Sequence, residues 1–341
     1  MRPFFCVSVV PERCMALLGL DLGGTKLSGG LFDLHGRCLE RRETLLAGRS
    51  GSDVGTAITT MLSDLRLQAR VSSVEISGIG VSVPGIAHPI NGKVWAPNIS
   101  GWDNYPLRDE IRAAVGPAGL PVIVDSDRAC SILGERWQGA ARGARHAVFL
   151  AVGTGIGAGI LVNGDVLRGA QDIAGATGWM ALDQPFREEY VQCGCFEYHA
   201  SGPGLAGIAR NLIAEQSIRS PRLSSIPFDR LTAHDVFAAH EANDPVAKEV
   251  IRRAIIAWGA AAANFVSLLN PELIIFGGGV FGPAVRFIDD IRREAAKWAQ
   301  PISMRSVRFV PSALGNDAAL IGAASLTFPA GHGDSTAIME D

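Results

Sequence analysis

Two glycine-rich turns in this sequence have the composition that triphosphate binding requires. Asp21 ends an apolar run and is followed by Leu-Gly-Gly-Thr-Lys, while Gly153 opens Gly-Thr-Gly-Ile-Gly-Ala-Gly after a second apolar run. Glycine lets backbone amides approach phosphate oxygens closely, and a nearby hydroxyl or cation completes such a site. The carboxylate of Asp21 is a candidate ligand for hydrated magnesium. The alternative at Asp21 is a tight β-turn whose glycines relieve strain.

The second turn also satisfies the dinucleotide fingerprint G-x-G-x-x-A, so NAD binding has to be considered. That function requires a helix directly after the glycines, with its N-terminus facing the pyrophosphate. Residues 159–167 instead read Gly-Ile-Leu-Val-Asn-Gly-Asp-Val-Leu, which predicts a strand, a turn and a strand. The sequence also has no G-x-x-x-x-G-K-[ST] motif. These patterns argue against an NAD enzyme and a P-loop enzyme.

Two carboxylates, Asp125 and Asp127, follow the apolar run at residues 122–124. A hydroxyl group that attacks a γ-phosphate needs orientation and a proton acceptor, and a carboxylate at a strand end in a cleft supplies both. The alternative is that one aspartate caps a helix starting near Arg128, and two aspartates allow both roles.

The elements predicted around these residues alternate between strand and helix, which is typical of an α/β fold. Residues 16–21 and 147–152 are apolar strands that each run into a glycine-threonine turn and return as a hairpin. Two copies of this unit suggest a duplicated fold with two facing domains. Residues 53–68 and 245–269 have the apolar spacing of helices.

A third apolar run, residues 273–276, ends at Gly277-Gly278-Gly279. This turn could let a nucleobase or ribose lie against the backbone. A plain strand-to-helix turn is the alternative.

The bulk composition excludes several classes of protein. The 341 residues are 48% hydrophobic and 19% charged, with a formal net charge of −3, so no broad positive surface for nucleic acid or an anionic membrane is expected. Six scattered cysteines indicate reduced thiols and a cytoplasmic location. No apolar run approaches the roughly 20 residues that cross a bilayer. We expect residues 1–14 to be an extension and residues 329–341 a flexible tail.

Taken together, these motifs resemble those of the ROK family of sugar kinases and related repressors, from about residue 17 to residue 326. The resemblance implies a duplicated ribonuclease-H-like, actin-like ATPase fold with ATP and sugar in the cleft between two domains. It places the N-terminal domain at residues 15–130, completed by a terminal helix at 317–328, and the C-terminal domain at 131–316. A homodimer is also implied. The matching segments, in family order, are residues 18–26, 80–85, 96–102, 153–159, 168–175, 194–202, 276–279 and 313–324.

The resemblance also implies roles for individual residues. Asp127 matches the catalytic base of such kinases. The nucleotide side, where ATP and Mg²⁺ bind, comprises Asp21, Gly23, Gly24, Thr25, Lys26, Gly153, Thr154, Gly155, Gly278 and Gly279. The sugar side, beside Asp127, comprises Gly85, Asn98, Ser126, Trp179 and Glu197.

The sequence departs from the family pattern on the sugar side. Ser126 stands where the family usually has asparagine, and Ala176 stands where it has a sugar-binding glutamate. Trp179 replaces the histidine that binds both sugar and zinc. We therefore expect an altered acceptor, either a modified hexose or a cyclitol.

The zinc pattern is also broken. Glu188 and Tyr190 stand where the first two cysteines should be, Cys195 alone matches, and Cys193 is out of register. A tetrahedral zinc site needs four ligands, so no structural zinc is expected. His199 could replace the lost histidine, although a helix histidine hydrogen-bonded within the protein is favoured.

Two functions follow from the sequence. The first is an ATP-dependent carbohydrate kinase with Asp127 as general base. The alternative is a catalytically silent ROK-type regulator that binds sugar or nucleotide. Since fewer than twenty residues precede the first strand, no nucleic-acid binding is expected.

Overall fold

The computed structural model describes residues 14–117, 119–216 and 218–328. The expected N-terminal extension lies outside the described residues except for Cys14, which begins the first strand. The expected tail, residues 329–341, also lies outside them. Within the described part, no helix is both long enough and apolar enough to cross a membrane.

The first half of the chain forms a five-stranded sheet in the order β3-β2-β1-β4-β7. A small hairpin, β5 and β6, lies outside this sheet. The elements are β1 (Cys14–Leu22), β2 (Lys26–Asp33), β3 (Cys38–Leu45), α1 (Ser52–Val71), β4 (Val74–Val83), β5 (Ile86–Ala87), β6 (Val94–Trp95), α2 (Leu107–Val115), β7 (Val122–Ser126) and α3 (Asp127–Gln138).

The second half forms another five-stranded sheet, in the order β10-β9-β8-β11-β12. Its elements are β8 (Ala147–Val152), β9 (Ile156–Val162), β10 (Asp165–Val166), α4 (Tyr190–Cys193), α5 (Cys195–Ala200), α6 (Gly202–Ala214), α7 (Ala233–Glu241), α8 (Pro245–Leu269), β11 (Leu273–Gly277), α9 (Ile288–Ala295), α10 (Pro301–Ser306), β12 (Arg308–Pro311) and α11 (Ala318–Ser325).

The two sheets share one topology. In each, the first strand pairs antiparallel with its hairpin partner on one side and parallel with a later strand on the other. The predicted duplicated fold is therefore confirmed. The helices predicted at 53–68 and 245–269 are also present, as Ser52–Val71 and Pro245–Leu269.

The last helix, α11, packs against the first sheet and against α3. Glycine permits this close approach, because a Cβ at Gly80 in β4 would lie 1.7 Å from the carbonyl oxygen of Ala323. A Cβ at Gly322 would lie 1.6 Å from the carbonyl oxygen of Cys130 in α3. The chain thus returns to the first sheet after completing the second.

A buried carboxylate connects α3 to the segment that leads into α11. Glu135 is fully buried, and its oxygens accept hydrogen bonds from the Ser312 hydroxyl (2.5 Å), the Ala140 amide (2.7 Å) and the Leu314 amide (3.2 Å). A buried carboxylate is tolerated when its lone pairs are satisfied in this way. The contact fixes the start of α11 relative to α3, the helix that follows Asp127.

We predict that Gly322→Ala destabilises the fold, because the new methyl group has to displace the backbone of α3. The free energy of unfolding should fall by at least about 2 kcal/mol. Gly207 in α6 is a matched helical control, since the nearest atom to its Cβ position is the Arg210 side chain at 3.8 Å. Gly207→Ala should raise stability by up to about 1 kcal/mol. Urea unfolding of both variants tests this, and equal stability of the two would contradict the proposed close packing.

Candidate active site

Three polar side chains line up across the carboxyl ends of the parallel strands in the first sheet. Asp21 of β1 is in register with Ser82 of β4, and Ser82 is in register with Asp125 of β7. Residues in register on adjacent strands point to the same face, so these side chains converge. The Ser82 hydroxyl is buried between them, and no described residue hydrogen-bonds it with normal geometry. Ligands bind in open α/β sheets at this edge.

The first predicted phosphate turn follows Asp21 directly. Its amide-to-carbonyl bond from Gly23 to Lys26 (2.9 Å) closes the turn, and Gly24 and Thr25 at its tip are exposed. Lys26 is placed differently from the other predicted contacts, because its ammonium group pairs with Glu43 on β3 at 2.8 Å. The turn therefore offers its backbone and the Thr25 hydroxyl to a ligand, while Lys26 already has a partner.

Burial raises the pKa of Asp21 to about 6, and the negative charges of Asp127 and Asp317 act in the same direction. Burial also raises the pKa of Asp127, against the opposing positive charge of Arg128. Carboxylates crowded in this way favour a cation among them. With the unsatisfied Ser82 hydroxyl, they fit a magnesium ion bound through Asp21.

The predicted base, Asp127, is the first residue of α3. Ser126 caps this helix, since its Oγ accepts a hydrogen bond from the Ala129 amide (3.3 Å). The alternative that an aspartate caps the helix is therefore wrong, because the shorter serine side chain takes that position. Neither aspartate is therefore needed as the cap of α3.

Asp125 forms an ion pair that joins the two halves of the chain. Its two carboxylate oxygens accept hydrogen bonds from the two Nη atoms of Arg168, at 2.7 Å and 2.6 Å. Asp125 is 3% exposed, and Arg168 follows β10 in the second sheet. A bidentate, largely buried pair fixes orientation as well as distance. It holds the end of β7, and hence Asp127, against the second half.

Arg128 is a site residue whose role the sequence analysis missed. One Nη donates to the carbonyl of Gly85 (3.0 Å), and its methylene groups lie where a Cβ at Gly157 would be. Gly85 itself has a φ of +99°, in a tight turn beside β6. In the sequence, the signal for this role was a positively charged residue directly after the predicted base. Arg128 connects Asp127, the Gly85 turn and β9.

The second predicted phosphate turn lies between β8 and β9. Its Gly153 amide donates to the Gly155 carbonyl (2.9 Å), and Thr154 is exposed at the tip. Glu197, predicted on the sugar side, accepts a hydrogen bond from the Ile156 amide (2.6 Å). Burial raises the pKa of Glu197. The structure therefore places Glu197 directly beside this turn.

A cavity of about 660 Å³ opens beside Gly153, Thr154 and Gly279. Gly278 has a φ of +85°, and a Cβ there would lie 2.5 Å from the carbonyl oxygen of Val152, so the turn after β11 closes tightly onto β8. The cavity has the size of a nucleoside site. Most of its remaining walls were not predicted, because they come from segments outside the matched motifs; among them are Arg210, His234, Phe237 and Pro283. Asn316 also lines the cavity and lies in the matched segment 313–324, but it was given no role.

The other sugar-side residues are less closely grouped. Asn98 is exposed in the loop between β6 and α2. Trp179 is 59% exposed at the end of a 3₁₀ turn, Thr177–Trp179. Gly178 in that turn packs on Glu197, because a Cβ there would lie 2.9 Å from Oε2 of the carboxylate. Trp179 is thus connected to Glu197, whereas no contact places Asn98 beside it within the described residues.

Where the family pattern has zinc ligands, this chain has a hydrogen-bonded cluster. The Tyr190 hydroxyl and His199 Nε2 are 2.7 Å apart, and His199 Nε2 is 3.4 Å from Asp183. Burial lowers the pKa of His199. Within the described residues, no group of three or more His, Cys, Asp or Glu side chains could hold a metal ion. The absence of structural zinc stays a prediction.

Comparison with known proteins agrees with this fold. The pattern of the ROK family matches residues 17–329. A glucokinase of Halalkalibacterium halodurans is 33% identical over 315 residues, covering 89% of this chain and 92% of that protein. The chain belongs to the ROK family.

Solved structures in this family include both enzymes and regulators. A ROK family glucokinase from Streptomyces griseus, in complex with glucose and AMPPNP, aligns with a TM-score of 0.71 and 25% identity.

 The alignment spans 91% of this chain and 98% of the glucokinase chain. A ROK family transcriptional regulator, a homologue of the Escherichia coli MLC protein, aligns with a TM-score of 0.79 and 25% identity, over 92% of this chain and 78% of that chain. Kinases and regulators therefore share this fold, so the distinction between the two functions depends on the residues of the site.

We predict that Asp21→Asn stabilises the ligand-free protein at neutral pH. The pKa of Asp21 is raised in the folded state, so the folded protein retains a proton that the unfolded chain loses between about pH 4 and pH 6, and wild-type stability falls over that range. Asparagine avoids burying the charge, and its advantage should grow from pH 4 to pH 6 and then level off, on the order of 2 kcal/mol.

Urea unfolding at pH 4, pH 5 and pH 7.5, with a chelator present, measures this difference. Asp64→Asn, at an exposed position of α1, serves as the control and should show no such trend. If Asp21→Asn is less stable than the wild type at pH 7.5, the prediction that burial of the Asp21 charge is unfavourable is contradicted.

We predict that Arg168→Ala lowers the free energy of unfolding by about 3 kcal/mol, because it leaves the Asp125 carboxylate buried without its partner. Replacing both residues, as Asp125→Asn with Arg168→Ala, should recover part of the loss. Arg293→Ala is the control, since that exposed side chain pairs with Asp290 on the surface. Its cost should stay below about 1 kcal/mol. Denaturant unfolding of the set measures this, and similar losses for Arg168→Ala and Arg293→Ala would argue against a structural role of the pair.

Proposed function

We propose that this protein transfers the γ-phosphoryl group of ATP to a hydroxyl group of a sugar or sugar-like polyol, with Asp127 as the general base. The class of the enzyme, an ATP-dependent sugar kinase, is supported by its family and by the glucokinase similarity over 89% of the chain. The observation that carries the proposal is the position of Asp127. It lies directly after β7, close enough to Asp21 for their charges to interact, and both predicted glycine turns are closed by backbone hydrogen bonds.

The proposed chemistry is an in-line displacement. Asp127 accepts the proton of the acceptor hydroxyl as its oxygen bonds to the γ-phosphorus, and the bond from that phosphorus to the bridging oxygen breaks to release ADP. Amides of the turns at Gly23–Thr25 and Gly153–Gly155 would hold the phosphates. Burial raises the pKa of Asp127, which strengthens it as a base once it is ionised. Magnesium bound through Asp21 would neutralise phosphate charge.

The acceptor we propose is a modified hexose or a cyclitol. The Ser126 hydroxyl already accepts a hydrogen bond as the cap of α3, while Ala176 has no side-chain polar atom to offer. A sugar hydroxyl buried without a partner costs about 1–3 kcal/mol. Trp179 instead presents an exposed indole ring, which suits the face of a ring with fewer hydroxyl groups.

The second candidate function is a catalytically silent regulator that binds sugar or nucleotide. The likeness to a ROK transcriptional regulator supports it. The retention of Asp127 and of the glycines in both phosphate turns favours the kinase, since a silent protein has no need of the base. The homodimer, and the absence of zinc and of nucleic-acid binding, remain predictions.

We predict that Asp127→Asn abolishes turnover and leaves nucleotide binding intact, because asparagine cannot accept the proton. ADP release with magnesium and ATP would be measured across hexoses, amino sugars and cyclitols, and ATP binding by calorimetry. Asp165→Asn, at an exposed position in the short strand β10, is the control and should keep full activity. Acceptor-dependent turnover that survives in Asp127→Asn would refute the assignment of the base. ATP binding without turnover for any acceptor would favour the regulator.

A further inference from the structure

A second cavity, of about 640 Å³, adjoins the sugar side of the site. It differs from the nucleotide cavity because large apolar side chains stand exposed around it. Trp179 is 59% exposed, Phe186 67% and Val191 58%. Exposed apolar groups gathered at a concave surface typically mark a binding site. The apolar wall comprises Trp179, Ala181, Pro185, Phe186, Tyr190 and Val191.

Trp179, which was predicted on the sugar side, also lines this cavity. The 3₁₀ turn that carries Trp179 rests on Gly194, where a Cβ would lie 2.6 Å from the Trp179 Cα. The same turn packs on Glu197 through Gly178, and Glu197 in turn binds the Ile156 amide beside the phosphate turn. The Trp179 turn therefore contacts Glu197, on the proposed sugar side, and also borders the cavity.

A series of contacts connects Arg128, beside Asp127, to Trp179 at the cavity. Arg128, next to Asp127, packs on Gly157 in β9. The neighbouring residue of β9, Ile156, binds Glu197, and Trp179 comes after Glu197 in this series of contacts. Trp179 is thus separated from Asp127 by several intervening residues, and we place the end of an acceptor remote from its reacting hydroxyl on the side of Trp179.

The walls of the cavity are held in place by the protein itself. Tyr190 is 4% exposed, hydrogen-bonds His199 and contacts the ring of Phe186 edge-on, with ring centroids 6.0 Å apart. Tyr190 also packs edge-on against Tyr198 at 5.4 Å. A preformed apolar wall binds a ligand group without a further ordering cost.

We propose that the acceptor is a sugar carrying a ring-sized apolar substituent, seated in this cavity against Trp179 and Phe186, at the end remote from the hydroxyl that is phosphorylated. This inference rests on the proposed kinase function. The occupant is a covalent part of the acceptor because the cavity and the acceptor site share Trp179. Burial of the apolar group offsets hydrogen bonds that Ala176 and Trp179 cannot make to an unsubstituted sugar.

The test compares hexoses with their phenyl and benzyl glycosides, in both anomeric forms, as acceptors with magnesium and ATP. We expect kcat/KM to be at least about tenfold higher for one substituted form than for its parent sugar, the ratio that corresponds to 1.4 kcal/mol of binding. Trp179→Ala and Phe186→Ala should each reduce that ratio several-fold. Trp298→Ala is the matched control, because Trp298 is 73% exposed after α9 and does not line the cavity. It should leave the ratio unchanged.

The outcomes separate this inference from the kinase function. Turnover of parent sugars with equal or lower kcat/KM for every glycoside would overturn the inference and leave the kinase standing. If no acceptor is turned over, the kinase function fails, and calorimetric binding of the glycosides with a non-hydrolysable ATP analogue decides the inference. Binding that Trp179→Ala weakens and Trp298→Ala does not would support it, whereas no binding, or equal effects of both variants, would overturn it.

Discussion

The pair between Asp125 and Arg168 is the interaction on which the arrangement of the site depends. Asp125 lies near the carboxyl end of β7, an edge strand of the first sheet, and Arg168 follows the edge hairpin of the second, so their two hydrogen bonds set the two halves against each other. A buried carboxylate requires such a partner, and the planar guanidinium satisfies both oxygens at once. Because Asp127 is two residues further along, the same pair positions the proposed base. Arg128 and its bond to Gly85 then connect the base to the sugar side.

Several carboxylates lie close together in the site, and their negative charges destabilise the ligand-free protein. Asp21 and Asp127 are both partly buried, and each has a raised pKa. Such a site is costly for the protein without ligands and suits a metal-bound nucleotide, whose cation offsets the repulsion. The same burial that strengthens Asp127 as a base therefore lowers stability, which is a common relation between activity and stability at functional sites.

The region where the family pattern places zinc is stabilised here by other means. Tyr190, His199 and Asp183 are connected by hydrogen bonds, and Phe186 and Tyr198 pack edge-on against Tyr190. Aromatic contacts of this kind position a loop without the four ligands that a metal requires. They also leave an apolar surface beside the acceptor site. The departure from the zinc pattern and the acceptor proposed above would thus have one structural origin in the residues around Trp179.

The sequence by itself determined the duplicated α/β fold, the long helices and the turns that follow Asp21 and Val152. These features are local, because apolar periodicity and glycine at a strand end act over a few residues. Only the tertiary structure decided that Ser126 caps α3, that Lys26 pairs with Glu43 and that Arg128 reaches Gly85. It also brought Arg168 to Asp125 and made a cavity beside Trp179. Such contacts join residues far apart in the chain, and their partners depend on how the two sheets and the returning helix α11 pack, which no local pattern encodes.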